Sequence, residues 1–232
     1  WAEAMIRLGI NTNLAPVLDP ARGPGGELTL MGRRERAFGS SSEEIVPPAT
    51  AFISAFASRQ IGCIVKHFPG YNVPQNSDHE LAVSSATPAQ VEAQIAAFTR
   101  AMSLALGVMM SSIRFTAVSE TPAVLDPYWV ERARCGHHDR LVMTDDLWGG
   151  ALRGWVSGTA AVHATEYPEN DLRRLVLLAF DAGNDMLMVT FPAKAIEMKA
   201  ILVEEIGADP ARQAQLDRAV LRILQAKADL GL

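Results

Sequence analysis

Gly62-Cys63-Ile64-Val65-Lys66-His67-Phe68-Pro69-Gly70 is a small and apolar run that ends in a basic pair and then breaks at Pro-Gly. A strand buried on both faces of a parallel sheet reads as a near-continuous apolar run, and Pro-Gly punctuates its end. The polar stretch that follows, residues 71–80, carries Asn72, Asn76, Ser77, Asp78 and His79. Together they read as a core strand that delivers Lys66 and His67 to its C-terminal end and hands over to a loop. An ordinary strand end with a solvated loop looks similar. The surrounding chain decides between them.

Outward from this stretch the pattern recurs. Residues 10–18 read as a strand ending in Asp19-Pro20, and residues 106–113 as one ending at Ser111-Ser112. Residues 140–145 end in Asp145-Asp146, and residues 184–189 supply a fifth strand. Helical patterns separate them. Ser40-Ser41-Ser42-Glu43-Glu44 is an N-cap signal for a helix over 43–60, with Pro47 and Pro48 expected near its first turn. Thr87-Pro88 starts a helix to about 104, and Asp126-Pro127 opens another. Residues 172–182 form a helix, and two more run to Leu232 on either side of Gly207-Ala208-Asp209-Pro210. Strand and helix alternating in this way predict an α/β fold, a parallel sheet with covering helices. In such sheets reactive groups gather at the C-terminal ends of the strands, where Asp19, Lys66-His67, Ser111-Ser112 and Asp145-Asp146 would converge.

Composition narrows the function. The 232 residues are 49% hydrophobic and 20% charged, which suits a folded globular chain, and residues 1–232 read as one domain. A net charge of −5 argues against a nucleic-acid or anionic-membrane partner, since both reward a basic face. No apolar run approaches the roughly 18 residues that would span a bilayer. Cys63 and Cys135 form neither a disulfide framework nor a zinc spacing, so reduced thiols are expected. With no signal-peptide pattern in a chain that begins at Trp1, we expect a cytoplasmic protein. His137-His138-Asp139 is clustered, but adjacent residues rarely share one metal, so a solvated turn is expected and no metal or cofactor.

The segments LGINTNLAPVLDP, GRRERAFGSSSEE, VKHFPG, GVMMSS, PAVLDPYWV, LVMTDDLWGGAL, AGNDMLMV and RAVLRILQAKADLGL occur in one order over nearly the whole chain. In that order they resemble glycoside hydrolase family 3 and, within it, the bacterial β-N-acetylhexosaminidases. The resemblance implies a (β/α)8 TIM-barrel-type fold of which this chain carries the last five βα units. The family's first three strands have no counterpart before Trp1. Five strands cannot close a barrel. The resemblance therefore leads us to expect a fragment, strands supplied by another polypeptide, or a surviving open sheet. A homodimer or a complementing chain would then cover the exposed edge.

The resemblance also implies a retaining mechanism on a carbohydrate substrate, with Asp145 as nucleophile and His79 as acid/base. An imidazole suits that task because its ordinary pKa lies close to working pH. Lys66, His67 and Arg36 match residues that hydrogen-bond sugar hydroxyls, although the Arg-rich segment around Arg36 also suits a helix-entry ion pair. Asp146 reads as structural, and Asp19 as holding a loop rather than touching sugar. Trp148 and Met186 read as core.

This chain departs from the subfamily at several positions. Ser77 stands where the subfamily has the Asp that orients its His, and Asp78 occupies the next position as a supporting residue. Pro69-Gly70-Tyr71-Asn72 replaces Pro-Gly-His-Gly, and Ser112 replaces a His. Two further readings follow. One is a β-glucosidase-type relative whose acid comes from elsewhere. The other is a degenerate homologue that binds a sugar or a protein without turnover.

Overall fold

The computed structural model describes residues 1–158, 169–207 and 209–232. The chain opens with α1 (Ala2–Arg7), β1 (Thr12–Asn13), α2 (Leu30–Arg33), α3 (Ser42–Ala57) and β2 (Gly62–Phe68). It continues through β3 (Val83–Ser84), α4 (Pro88–Met102), β4 (Gly107–Met110), β5 (Arg114–Phe115) and α5 (Pro127–Ala133). The last described elements are β6 (Leu141–Met143), α6 (Gly150–Ser157), α7 (Glu169–Asp181), α8 (Pro192–Gly207) and α9 (Pro210–Asp229).

The main sheet is parallel, and its spatial order β1-β2-β4-β6 repeats the chain order. Parallel bridges extend it at both ends: Val17 pairs with Lys66 beyond β1, and Met186 pairs with Met143 on the far side of β6. Five strand positions therefore follow one another without reversal. A barrel is wound in that way, whereas a doubly wound sheet reverses at its switch point. Among the described residues the sheet is an arc of a barrel that does not close on itself.

Alternation along the strands sorts their side chains into two cores, as a curved sheet with two faces requires. Cys63, Val65, Val108, Met110 and Val142 join the large cluster built with the covering helices. Ile64, Met109, Leu141 and Met143 point the other way and form a second cluster. Ala226 of α9 completes that inner cluster, and Ile223 and Leu230 pack against it. The inner face is thus partly covered by the C-terminal helix. Burial pushes the Cys63 thiol up to about 11, so it is an inert core residue.

The helix starts carry the expected caps. Ser41 and Glu44 form a reciprocal capping box at α3, and Thr87 and Gln90 form another at α4. Asp126 caps α5 by accepting from the Tyr128 amide, with Pro127 as its first residue. One expectation needs correcting. Pro47 and Pro48 lie in the second turn of α3, which starts at Ser42, rather than in its first. Both are exposed, so the Glu43 and Glu44 carbonyls deprived of helical donors can be met by water. The small parallel pair β3–β5 and the helix α6 were not apparent in the sequence.

Candidate active site

Alternation carries the inner face upward from Ile64 to Lys66 on β2 and from Leu141 and Met143 to Asp145 beyond β6. A regular strand would send His67 to the opposite face. The pairing of β2 with β4 instead slips between Lys66 and Phe68, so both basic residues reach one space. That space is a polar cavity of about 160 Å³ at the C-terminal edge of the sheet. It is lined by Arg34, Arg36, Lys66, His67, Tyr71, Asn76, Ser77, Asp78 and Asp145, with Leu30 and Met31 at one wall.

Asp19 lies behind the wall, completely buried. Its Oδ1 accepts the backbone N–H of His67 at 3.0 Å and of Tyr71 at 2.6 Å, and its Oδ2 accepts from His67 Nδ1 at 2.6 Å. That last bond assigns the Nδ1 proton and aims Nε2 into the cavity, 3.8 Å from Asp145 Oδ2. The gap is longer than a direct hydrogen bond, so a substrate hydroxyl or water can bridge it. Asp145 is half-buried, and its Oδ1 is occupied by the Asp146 amide at 2.8 Å. Asp146 itself is committed elsewhere: it accepts from the Thr190 amide and hydroxyl and from the Trp148 amide. It ties the loop after β6 to the one after the Met186 strand position.

Burial draws the Lys66 ammonium below its ordinary pKa, and repulsion by Arg36 adds to this, while Asp145 and Asp19 pull the other way. The Tyr71 phenol is raised, chiefly by burial. Its hydroxyl accepts from the Ser77 amide and donates to the Gln75 carbonyl, each at 2.7 Å. Its ring meets the His67 ring edge-on at 5.8 Å. Tyr71 therefore fastens the start of the loop to its far limb.

The sequence-derived residues divide accordingly. Asp145, Lys66, His67, Arg36, Asp78 and Ser77 converge on the cavity, and Asp19 holds His67 from behind. His79 sits on the same loop but is exposed and is not part of the cavity lining. Ser112 is buried at the end of β4 and lies outside the lining as well. Trp148 stacks on Phe191 at 5.5 Å, and Met186 is substantially exposed rather than core. His138 lies on the surface, 3.4 Å from Glu131. Among the described residues no group of three His, Cys, Asp or Glu side chains could hold a metal ion.

Arg34, Asn76 and Tyr71 were missed by sequence reasoning. The Arg33-Arg34-Glu35-Arg36 run carried a usable signal, but which arginines face inward depends on the short α2. A larger groove of about 560 Å³ lies between Leu187, α8 and α9, but it is mostly apolar. Its Asp185 is already held by Arg134 and Arg222. The polar cavity is the one equipped for chemistry.

The family described as "Glycosyl hydrolase family 3 N terminal domain" matches residues 1–226. A β-hexosaminidase from Thioalkalivibrio sulfidiphilus is 29% identical over 223 residues, covering 94% of this chain and 58% of its own length. One from Alkalilimnicola ehrlichii is 27% identical over 222 residues, again covering 94% and 58%. The chain thus spans about three-fifths of these relatives. Among solved structures, the β-N-acetylhexosaminidase from Beutenbergia cavernae aligns with a TM-score of 0.81 and 29% identity, covering 98% of this chain and 66% of that one. The family 3 β-N-acetylglucosaminidase from Paenibacillus sp. aligns with a TM-score of 0.79 and 25% identity, covering 99% and 42%.

Proposed function

Because the chain belongs to glycosyl hydrolase family 3 through its N-terminal-type domain, we propose that it is a retaining glycosidase acting on terminal β-linked N-acetylhexosamine. The observation that carries this reading is one cavity in which Asp145 faces a Lys66–His67 wall whose imidazole is oriented by buried Asp19. Asp145 is the nucleophile. Its free Oδ2 attacks the anomeric carbon, and Oδ1 stays anchored on the Asp146 amide. Lys66, His67 and Arg36 donate to sugar hydroxyls, since charge-assisted donors in a partly dry pocket orient a neutral polyol well. His79, beside Asp78 on the loop 71–80, supplies the proton for the leaving oxygen.

Incubation with a fluorinated N-acetylglucosaminide that forms a slowly hydrolysed ester tests the reading. Mass spectrometry of a protease digest should find the sugar on the peptide containing Asp145, and Asp145→Asn should abolish labelling. A sugar attached at another carboxylate would overturn the assignment.

The exposure of His79 outside the lining favours a second reading, sugar binding without turnover. Unlabelled protein that still binds N-acetylglucosamine in calorimetry would establish it.

A further inference from the structure

Three residues beyond Asp145 the chain reaches Trp148, and the segment around it is held from two directions. On one side the Leu147 N–H donates to the Met188 carbonyl at 3.0 Å. The Asp146 carboxylate accepts the Trp148 amide together with the Thr190 amide and hydroxyl, which brings Phe191, the next residue, against Trp148. On the other side the first amides of α6 hold the loop 71–80. Gly150 N–H donates to the Asp78 carbonyl and Ala151 N–H to the Ser77 carbonyl, each at 2.9 Å. Helix α6 has no side-chain cap, so the loop carbonyls satisfy amides that would otherwise need water. Between Asp145 and Gly150 the chain therefore passes from the nucleophile to the loop that carries His79, with Trp148 on the way.

The two aromatic rings form a fixed surface at this edge of the sheet. Trp148 and Phe191 stack with their centroids 5.5 Å apart and their planes at 17°. The Arg153 guanidinium lies 5.0 Å and the Lys194 ammonium 5.6 Å from the Trp148 centroid, so two cations also hold the indole. Trp148 packs against the main core, whereas Phe191 is 49% exposed. Single exposed apolar residues are common on protein surfaces. Phe191 differs in being immobilised by a stack beside a polar cavity. A ligand that covers it gains the burial of its ring and orders little that was free before.

We propose that Phe191, backed by Trp148, is the floor of the aglycone subsite and takes the apolar face of a second pyranose ring. The assignment rests on the glycosidase reading above. With N-acetylhexosamine bound at Asp145, the leaving oxygen points toward the group that protonates it, so the aglycone departs on the side of the loop 71–80. That is the side to which α6, and with it Trp148, is tied. A β-linked pyranose presents axial C–H groups, whose slight positive charge is attracted by the negative face of an aromatic ring. A methyl aglycone offers no such face. Phe191 and Trp148 thus select a β-linked di- or oligosaccharide over the glycoside of a small alcohol.

The test is the ratio of kcat/KM for N,N′-diacetylchitobiose to that for methyl N-acetyl-β-glucosaminide, measured on the full chain. In Phe191→Ala that ratio should fall by about 10-fold, the size of a lost aromatic contact. Phe191→Tyr keeps the ring and should keep the wild-type ratio. A stack that only stabilised the loops would move both substrates together and leave the ratio untouched. Thermal melts check folding, and Phe191→Leu, which retains apolar volume, repeats the comparison if the alanine variant is destabilised. A wild-type ratio in both Phe191→Ala and Phe191→Leu would overturn the subsite, as would an equal fall in Phe191→Tyr. Wild-type protein that cleaves the methyl glycoside but not the disaccharide would overturn it too, with the glycosidase reading intact. Wild-type protein inert toward both would overturn that reading, and the subsite with it.

Discussion

Lys66 shows what a single residue costs to hold in place. Its ammonium is half-buried beside Arg36, and both burial and that repulsion pull its pKa below the ordinary value. The sign follows directly. Between the folded and ordinary pKa values the unfolded chain binds more protons, so stability rises with pH across that alkaline window. Below that window the penalty is fully present. Lys66→Met should therefore raise stability at pH 7 by about 1 kcal/mol, the usual size of a gain when a functional strain is relieved. The increment should shrink at alkaline pH, where the wild-type amine is already neutral. Denaturant melts at the two values check this. The same variant should lose activity, because the charge that destabilises the fold is the one offered to a sugar hydroxyl. Asp19 is the opposite case. It is buried, yet three donors satisfy its oxygens, so no polar atom is left unpaired there.

At the scale of elements, the junction between the loop 71–80 and α6 is the part most sensitive to small changes. Gly150→Ala adds one methyl group against backbone, which cannot swing aside as a flexible side chain could. The loop should be pushed off the amides of α6, with a drop of 10-fold or more in kcat/KM. The thermal midpoint should fall by only a few degrees, since α6 keeps its other contacts. The affected protons are the Gly150 and Ala151 amides, so faster hydrogen exchange there should accompany the loss. Unchanged exchange and activity would show that the junction does not position the site. The sequence exposed some of these features and hid others, for physical reasons. Caps announce themselves because Ser41 with Glu44, and Thr87 with Gln90, are local and satisfy orphan amides within one turn. Strand ends announce themselves because the core requires apolar runs, and Lys66 and Asp145 interrupt them. The slip after Lys66 that turns His67 into the cavity depends on the neighbouring β4, which no local pattern encodes. The amides of α6 are capped by carbonyls some 70 residues earlier, again a tertiary arrangement without a side-chain signal. Tyr71 reads in sequence as a plain substitution, and only its two hydrogen bonds show that it fastens the loop.

At the scale of the whole molecule, an open arc of barrel must do something with its inner face. Ile64, Met109, Leu141 and Met143 line that face, and α9 covers it with Ile223 and Ala226, joined by Leu230 just beyond the helix. Charge pairs fix the helix in that seat. Arg222 donates to Asp185 at 2.9 Å and to the His138 carbonyl at 2.7 Å, and Arg140 lies 3.7 Å from Asp229. Asp185 is in turn held by Arg134, so the helix is anchored to a buried charge rather than to a solvated one. The contact lies toward the N-terminal ends of the strands, where Leu106 and Leu141 join the cluster, while the polar cavity lies at their C-terminal ends. Stability and chemistry thus occupy opposite ends of the same sheet, and they should separate on mutation. Ala226→Asp places a carboxylate in an apolar cluster without a partner and should cost about 2–4 kcal/mol, the range expected for an unpaired buried charge. In urea melts the midpoint should fall accordingly. At temperatures where the variant stays folded, labelling of Asp145 by the fluorinated sugar should proceed at the wild-type rate. Leu221→Asp, on an exposed position of the same helix, should change neither quantity. If Ala226→Asp proved neutral, α9 would not be seated on the inner face. If it slowed labelling while leaving stability intact, the two ends of the sheet would be coupled through the strands rather than independent.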